Sequence, residues 1–281
     1  MNRCDIIEEL RKRGYDAQPK ESMKNGVLFN GIIIKNGTDT TPIIYTDSIT
    51  KNNTDIGTAA DEVLRIYSEN RTLNLDLNSF FNHERFMNNV RIGMQKTSDE
   101  PIIKKPTLFD GIEQYLYVAA ESGDTIYSTK VTDVLLYETK ADLDLTWARA
   151  LENTIKESTI TPVMKMLEEK ASGLDFLPDI EPGEADHEIF VITNKCGIKG
   201  ASAILNSEIL INLAESFFTD TLIIIPSSIH EMLVIPDINK YPLSYYSEMV
   251  KFVNESAVPE YDRLTDIAYR MSLPVIKVIH E

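Results

Sequence analysis

An α+β fold, built of antiparallel β-hairpins each followed by a packing helix, is what this sequence predicts, and three observations predict it. Short runs rich in Ile, Val and Tyr come in pairs with turn residues between them. Each pair is followed by a stretch whose apolar residues recur at helical spacing. The same order recurs three times along the 281 residues. A change of period from about 2 to about 3.6 separates strand from helix, and paired strands ahead of a helix favour hairpins over parallel crossovers.

In chain order, Asp5 to Lys12 or Arg13 is predicted to be the first helix, with Ile6 and Leu10 on one face and Gly14 as its stop. VLFNGIIIKNGTDTTPIIYTD then supplies two β-branched runs, Ile32-Ile33-Ile34 and Ile43-Ile44-Tyr45, around an Asn-Gly turn signal and a polar connector. TAADEVLRIYSEN places Ala60, Val63, Leu64 and Tyr67 on one helical stripe. NSFFNHERFMNNVRIGMQK reads as further helix.

In the second pass, YLYVAAESGDTIYSTK reads as two strands around a Ser-Gly-Asp turn, and LDLTWARALENTIKES as a helix with Leu145, Ala148, Leu151 and Ile155 in phase. TPVMKMLEEKASG follows as a helix with Thr161 as N-cap, Pro162 in first position and Gly173 as stop. In the third pass, EIFVITNKCGIKGASAIL reads as two strands around Asn194 to Gly197, and NSEILINLAESFF as a helix with Ile209, Leu210, Leu213 and Phe217 on one side. Ile223 to Ile225 and Met232 to Ile235 are expected to pair, with PSSIHE as their connection and Pro226 outside the ladder because it has no N–H. Ser244 to Glu255 is a clear helix, and a second helical segment is expected after it.

The connectors DEPIIKKP and LPDIEPGEAD, near residues 99–106 and 177–186, divide the chain into segments 1–98, 107–176 and 187–281, which are equally compatible with one continuous fold. YTDSITKNNTDIGTAA and VTDVLLYETKADLDLTWA share Thr-Asp, then Thr-Lys, then an Asp before Ile or Leu, if three extra residues are allowed in the second. A relation between the first two units and the general frequency of hairpin-then-helix units explain this equally well.

NGVLFNGIIIK, DEVLRIYSEN, ALENTIKES and above all LIIIPSSIHEMLVIPD together resemble an uncharacterised bacterial family, of the domain of unknown function 5688 type, over nearly the whole chain. The resemblance implies a shared bacterial cytoplasmic fold and no particular chemistry.

Composition narrows the function classes. Cys4 and Cys196 are the sole cysteines, far apart and in no ligand-like spacing, so neither a disulfide framework nor a cysteine zinc site is expected, and reduced cytoplasmic thiols are the simplest reading. MNRCDIIEELRKRGY lacks the uninterrupted apolar core of a secretory signal. No run reaches the roughly 20 apolar residues of a membrane helix, so no membrane partner is expected. A formal charge of −16 repels phosphate backbones. The basic clusters Arg11-Lys12-Arg13 and Lys104-Lys105 are short and not interleaved with aromatics, which makes nucleic acid an improbable partner. A protein or small-molecule partner fits better, and a homo-oligomer is compatible. No cofactor is expected, since the sequence holds no phosphate loop, dinucleotide fingerprint, HExxH, EF-hand or Gly-x-Ser-x-Gly elbow.

Two side-chain sets are candidates for chemistry. Ser228, His230 and Glu231 would be nucleophile, base and orienting acid if they met in space. The competing reading is a turn in which Ser227 and Ser228 bond their own backbone, with Ser228 and Glu231 at capping-box spacing. Every histidine precedes a glutamate: His83-Glu84, His187-Glu188, His230-Glu231 and His280-Glu281. Sequence neighbours do not share a face, so a metal would require His187, Glu188 and His230 to converge in the third unit. Cys196 with His187 is a weaker thiol-and-base pair, and Cys196-Gly197-Ile198-Lys199-Gly200 reads as a turn rather than a phosphate site. Tyr241, Tyr245 and Tyr246 form either a contact patch or core. The reading reached is a protein of unknown function with a binding or interaction role preferred; a hydrolase, metal-assisted or serine-based, near His187 and His230 is the alternative.

Overall fold

A computed structural model describes residues 1–37, 41–70, 78–122, 125–166, 188–238, 241–273 and 277–279. The chain divides into two compact units, Met1–Leu75 and Asp76–Glu281.

The first unit opens with α1 (Arg3–Lys12), where Asn2 accepts from the Cys4 and Asp5 N–H groups and Asp5 returns a bond to the Asn2 N–H, a reciprocal capping box. Ile6, Ile7 and Leu10 face inward, and Gly14 follows at φ +90. A hairpin of β1 (Asp16–Lys24) and β2 (Val27–Lys35) turns at Asn25-Gly26, both at positive φ as a tight two-residue hairpin turn requires. The sequence reading missed β1 because DAQPKESMK is charged, contains Pro19 and buries only Ala17. As an edge strand it tolerates all three. The run expected to pair with Ile32 to Ile34 contributes only β3 (Ile44–Tyr45), joined through Gly31↔Tyr45 and Ile32↔Ile44. After α2 (Asp47–Asn52), α3 (Ile56–Asn70) buries Ala59, Ala60, Val63 and Tyr67 against α1 and the isoleucines of the sheet.

In the second unit α4 (Asn78–Phe81) and α5 (His83–Asn89) lead into β4 (Val90–Lys96), so the expected helix ends at Asn89. β4 pairs along its whole length with β6 (Ile112–Ser122), which also pairs with β5 (Lys104–Pro106) and β7 (Thr125–Lys130). Residues 76–98 therefore lie in the second unit. Gly93 has a packing reason: the Tyr115 ring lies across it, and a Cβ there would come within 2.6 Å of the ring.

α6 (Asp133–Glu138) and α7 (Leu143–Glu157) follow. α7 is where the sequence put it, but its inward face is Thr146, Trp147, Ala150 and Thr154, while Leu145 is 65 % exposed. The leucine stripe and the threonine-tryptophan stripe are both helical in period. The inward face packs Trp147 and Ala150 against Val90, Ile92 and Leu116, and it is tied to β4 by the Thr154 hydroxyl, which accepts the Ile92 N–H, and by the Asn153 amide, which donates to the Val90 carbonyl.

β8 (Ser158–Pro162) takes Thr161 and Pro162 into a strand that pairs with β9 (Phe190–Asn194), and the expected helix begins directly after them, with residues 163–166 helical; Gly173 lies outside the described residues. The second strand expected after Asn194 is instead a 3-10 helix, Gly200–Leu205, followed by α8 (Ser207–Ser216). β10 (Thr221–Ile225) and β11 (Met232–Pro236) pair as expected, Ile223↔Ile235 and Ile225↔Leu233, with Pro226 outside the ladder. α9 (Leu243–Ala257) comes next. The second helical segment expected near the end is a short 3-10 turn, Glu260–Asp262, and then two strands, β12 (Tyr269–Ser272) and β13 (Lys277–Ile279).

The resulting six-stranded sheet has the order β13-β12-β10-β11-β9-β8. Leu222, Ile224 and Val234 pack with α8 on one face, and Ile223, Ile225 and Ile235 pack with α9 on the other. Burial on both faces explains why LIII and MLVI are continuously apolar and do not alternate. Tyr246 joins this core, while Tyr241 stacks on the half-exposed Tyr245 at 4.6 Å, so the tyrosines divide between core and surface. The architecture is mixed α and β with antiparallel sheets. Among the described residues no helix is long and apolar enough to cross a membrane.

Candidate functional site

The PSSIHE connection is a structural hub. Ser228 Oγ accepts the His230 main-chain N–H at 3.1 Å, and the Ser228 N–H donates to the Glu231 carbonyl at 3.1 Å. This is a serine turn without a helical turn, so the capping-box alternative fails while the local self-bonding holds. Both imidazole nitrogens are engaged elsewhere. Nδ1 accepts the Lys199 N–H at 3.1 Å, and Nε2 lies 3.3 Å from Asp262 Oδ1. That pattern fixes the proton of the neutral ring on Nε2. Ser228 is buried with its hydroxyl committed to backbone, and no hydrogen bond joins it to the ring. The connection also holds its neighbours: the Thr193 hydroxyl donates to the His230 carbonyl at 2.8 Å, and the Ile229 N–H donates to the Asp262 carbonyl at 2.8 Å.

His187 lies outside the described residues, and Glu188 is exposed just ahead of β9. Among the described residues no group of three His, Cys, Asp or Glu side chains is placed to hold a metal. His83 is an exposed residue at the start of α5 with its Nδ1 2.9 Å from the Thr139 carbonyl.

What His230 does position is the turn from Lys195 to Lys199. Asn194 clamps this turn from within: its Oδ1 accepts the Ile198 N–H at 3.2 Å and its Nδ2 donates to the Ile198 carbonyl at 2.8 Å. Gly197 and Lys199 adopt left-handed backbone, φ +66 and +56. For a lysine this conformation is strained, and the bond from its N–H to His230 holds it there. Gly200 then passes so close to β9 that a Cβ would lie 2.6 Å from both the Asn194 nitrogen and the His230 carbonyl oxygen.

The turn forms one wall of a cavity of about 460 Å³. The opposite wall comes from the first strands and the first long helix of this unit: Asn89 and Arg91, Tyr117, Ser128, and Asn153 with Lys156 and Glu157. Arg91 meets Glu157 through two bonds, Nε to Oε2 at 2.8 Å and Nη2 to Oε1 at 2.6 Å, and donates a third to the Asn89 carbonyl. The guanidinium holds the Glu157 carboxyl below its ordinary value. Lys199 Nζ donates to Ser128 Oγ at 2.6 Å and sits 4.7 Å from the centre of the Tyr117 ring.

Tyr117 is 5 % exposed, and burial pushes its phenol well above the ordinary range, so it is a neutral donor at pH 7. Its hydroxyl has no hydrogen-bond partner among the described residues. It lies within electrostatic reach of Arg91, Cys196 and Glu157, all of which line the same cavity. Arg91, Lys156, Lys195 and Lys199 face one carboxylate, Glu157, in a chain of net charge −16. The sequence reading missed this set because its members come from four separate places, β4, β6, α7 and the turn after β9. The one local trace was KCGIK, two lysines around a turn in an acidic chain.

The class so defined is a mixed α and β protein with a cationic cavity and no metal cluster among its described residues. A family model described as "Family of unknown function (DUF5688)" matches residues 4–272, and the chain belongs to that family. No curated protein and no solved structure matches it.

Proposed function

We propose that the second unit binds a small anionic molecule, a carboxylate or phosphate, in the cavity between Tyr117, Arg91 and Lys199, and that its role is binding and not catalysis. The observation that carries this is Tyr117, 5 % exposed as a residue, whose hydroxyl has no hydrogen-bond partner among the described residues and lies at the cavity wall among lysines. A hydrogen bond from such a phenol to a charged group contributes about 1.5–3 kcal/mol, which an anionic ligand would supply. Cationic walls in an acidic molecule concentrate such a ligand locally. A serine or metal hydrolase near His230 is not supported, because the ring is spent on Lys199 and Asp262. The free thiols of Cys4 and Cys196 fit a bacterial cytoplasmic setting.

The test is isothermal titration of the full chain with inorganic phosphate, citrate and ATP at low ionic strength. Binding of at least one probe is expected, weakening with salt. Tyr117→Phe is expected to lose about tenfold in affinity, as for one hydrogen bond to a charged group, and Lys199→Gln at least as much. Absence of binding by all three probes, or binding indifferent to both substitutions, overturns the reading.

A further inference from the structure

We propose that Cys196 is a site of reversible thiol–disulfide exchange with small anionic disulfides, which the cationic cavity gathers. The inference rests on the anion-binding reading of the same cavity.

Cys196 is exposed at the cavity wall, next to Lys195 and three residues before Lys199. Its Sγ donates to Asn194 Oδ1 at 3.3 Å, which fixes the thiol on the clamped turn. Cys196, Arg91 and Tyr117 line the same cavity, so the sulfur and the recognition groups share one space. The independent sign of a ligand is Tyr117 itself, 5 % exposed, lining the cavity and without a hydrogen-bond partner among the described residues. The thiolate is the attacking form in such an exchange, and the lysines beside it attract an anionic disulfide to the sulfur.

The exchange balances. The Cys196 thiolate attacks one sulfur of the disulfide, a new S–S bond forms as the old one breaks, and the departing thiolate takes a proton from water. Cys196 is oxidised to the mixed disulfide and the departing sulfur is reduced to a thiol. A second small thiol reverses the step, so the adduct is transient in a reducing compartment.

Cys4 is an internal reference. It too is exposed and free, but it sits in the first turn of α1 between Arg3 and Asp5, with Glu8 one turn on, where opposite charges offset one another. Absolute exchange rates depend on access and on the leaving thiol as well as on charge, so the charge preference, and not the absolute rate, discriminates between the two cysteines. The experiment follows adduct formation at each cysteine by peptide mass spectrometry, with oxidised glutathione as the anionic disulfide and bis(2-hydroxyethyl) disulfide as the uncharged one. The anionic-to-neutral rate ratio is expected to be at least about tenfold higher at Cys196 than at Cys4 at low ionic strength. High salt, Lys195→Gln or the Lys195→Gln/Lys199→Gln pair should lower the Cys196 ratio toward that of Cys4. Lys195 is exposed, so its single variant keeps the test sound even if the pair fails to fold. Equal ratios at the two cysteines, or a ratio indifferent to both salt and Lys195→Gln, overturn the inference. If citrate or phosphate binds while the ratios are equal, the exchange inference falls and the anion-binding reading stands. If none of the calorimetric probes binds and the ratios are equal, both fall.

Discussion

Replacing Gly200 by Ala reverses the usual sign of a glycine-to-alanine change. In a helical turn that change ordinarily stabilises, by roughly 0.5–1 kcal/mol, because alanine loses less backbone entropy on folding. At Gly200 the new Cβ would stand 2.6 Å from the Asn194 nitrogen and 2.6 Å from the His230 carbonyl oxygen, and closer still to Thr193 Oγ1. Two of these three atoms are backbone, one in β9 and one in the connection after β10. Relieving the contacts moves paired structure by about an ångström, an overpacking cost of about 1–3 kcal/mol. The Thr193 hydroxyl cannot yield without losing its bond to the His230 carbonyl, 2.8 Å, worth about 0.5–1.5 kcal/mol net. Together these give a loss of about 2–4 kcal/mol. Trp147 is the single tryptophan and is buried within the second unit, so urea unfolding followed by its fluorescence reports this unit directly. With a urea slope of about 2 kcal/mol per molar, the midpoint should fall by about 1–2 M. An unchanged or higher midpoint would refute the close approach of the turn to β9, and with it the geometry that places Lys199 at the cavity.

Thr154→Val, nearly equal in shape, removes the acceptor of the Ile92 N–H at 3.0 Å and the donor to the Ala150 carbonyl at 2.7 Å; it should cost about 1–3 kcal/mol in the same urea assay, and a cost below about 0.5 kcal/mol would show that the β4 edge is satisfied some other way. Burial holds the Tyr115 and Tyr117 phenols well above their ordinary value of 10.0, so the stability they contribute is complete below pH 10 and is lost as pH rises beyond it, when the unfolded chain ionises first. Absorbance titration should show these two rings ionising only together with alkaline unfolding. In Tyr115→Phe/Tyr117→Phe that unfolding should be less steep in pH, whereas reversible ionisation of either ring in the folded protein would contradict its burial.

Elements with a local signal are legible in the chain alone. α1 carries its cap, stripe and stop within a dozen residues, and β10 and β11 are β-rich runs joined by a proline-led turn that closes on its own serine. Their periodicity and turn chemistry are independent of what packs on them. Local signals were weakest where neighbours decide. β1 looks like a loop until β2 pairs with it, and α7 has two stripes of helical period, of which the packing of Trp147 and Ala150 on the sheet and the hydrogen bond at Ile92 select one. The strand expected after Asn194 became a 3-10 helix because Gly200 has to pass against Thr193 and His230, a crowding that exists only in three dimensions. The same holds for chemistry. Ser228, His230 and Glu231 stood out because they are adjacent in sequence, yet the fold spends them on holding a turn. Arg91, Tyr117, Glu157 and Lys199 carry no motif, and they share a cavity because β4, β6, α7 and the turn after β9 converge there. Periodicity and caps act over a few residues and are written in the chain, whereas burial, charge neighbours and an unmet hydroxyl are properties of a place that the tertiary structure alone creates.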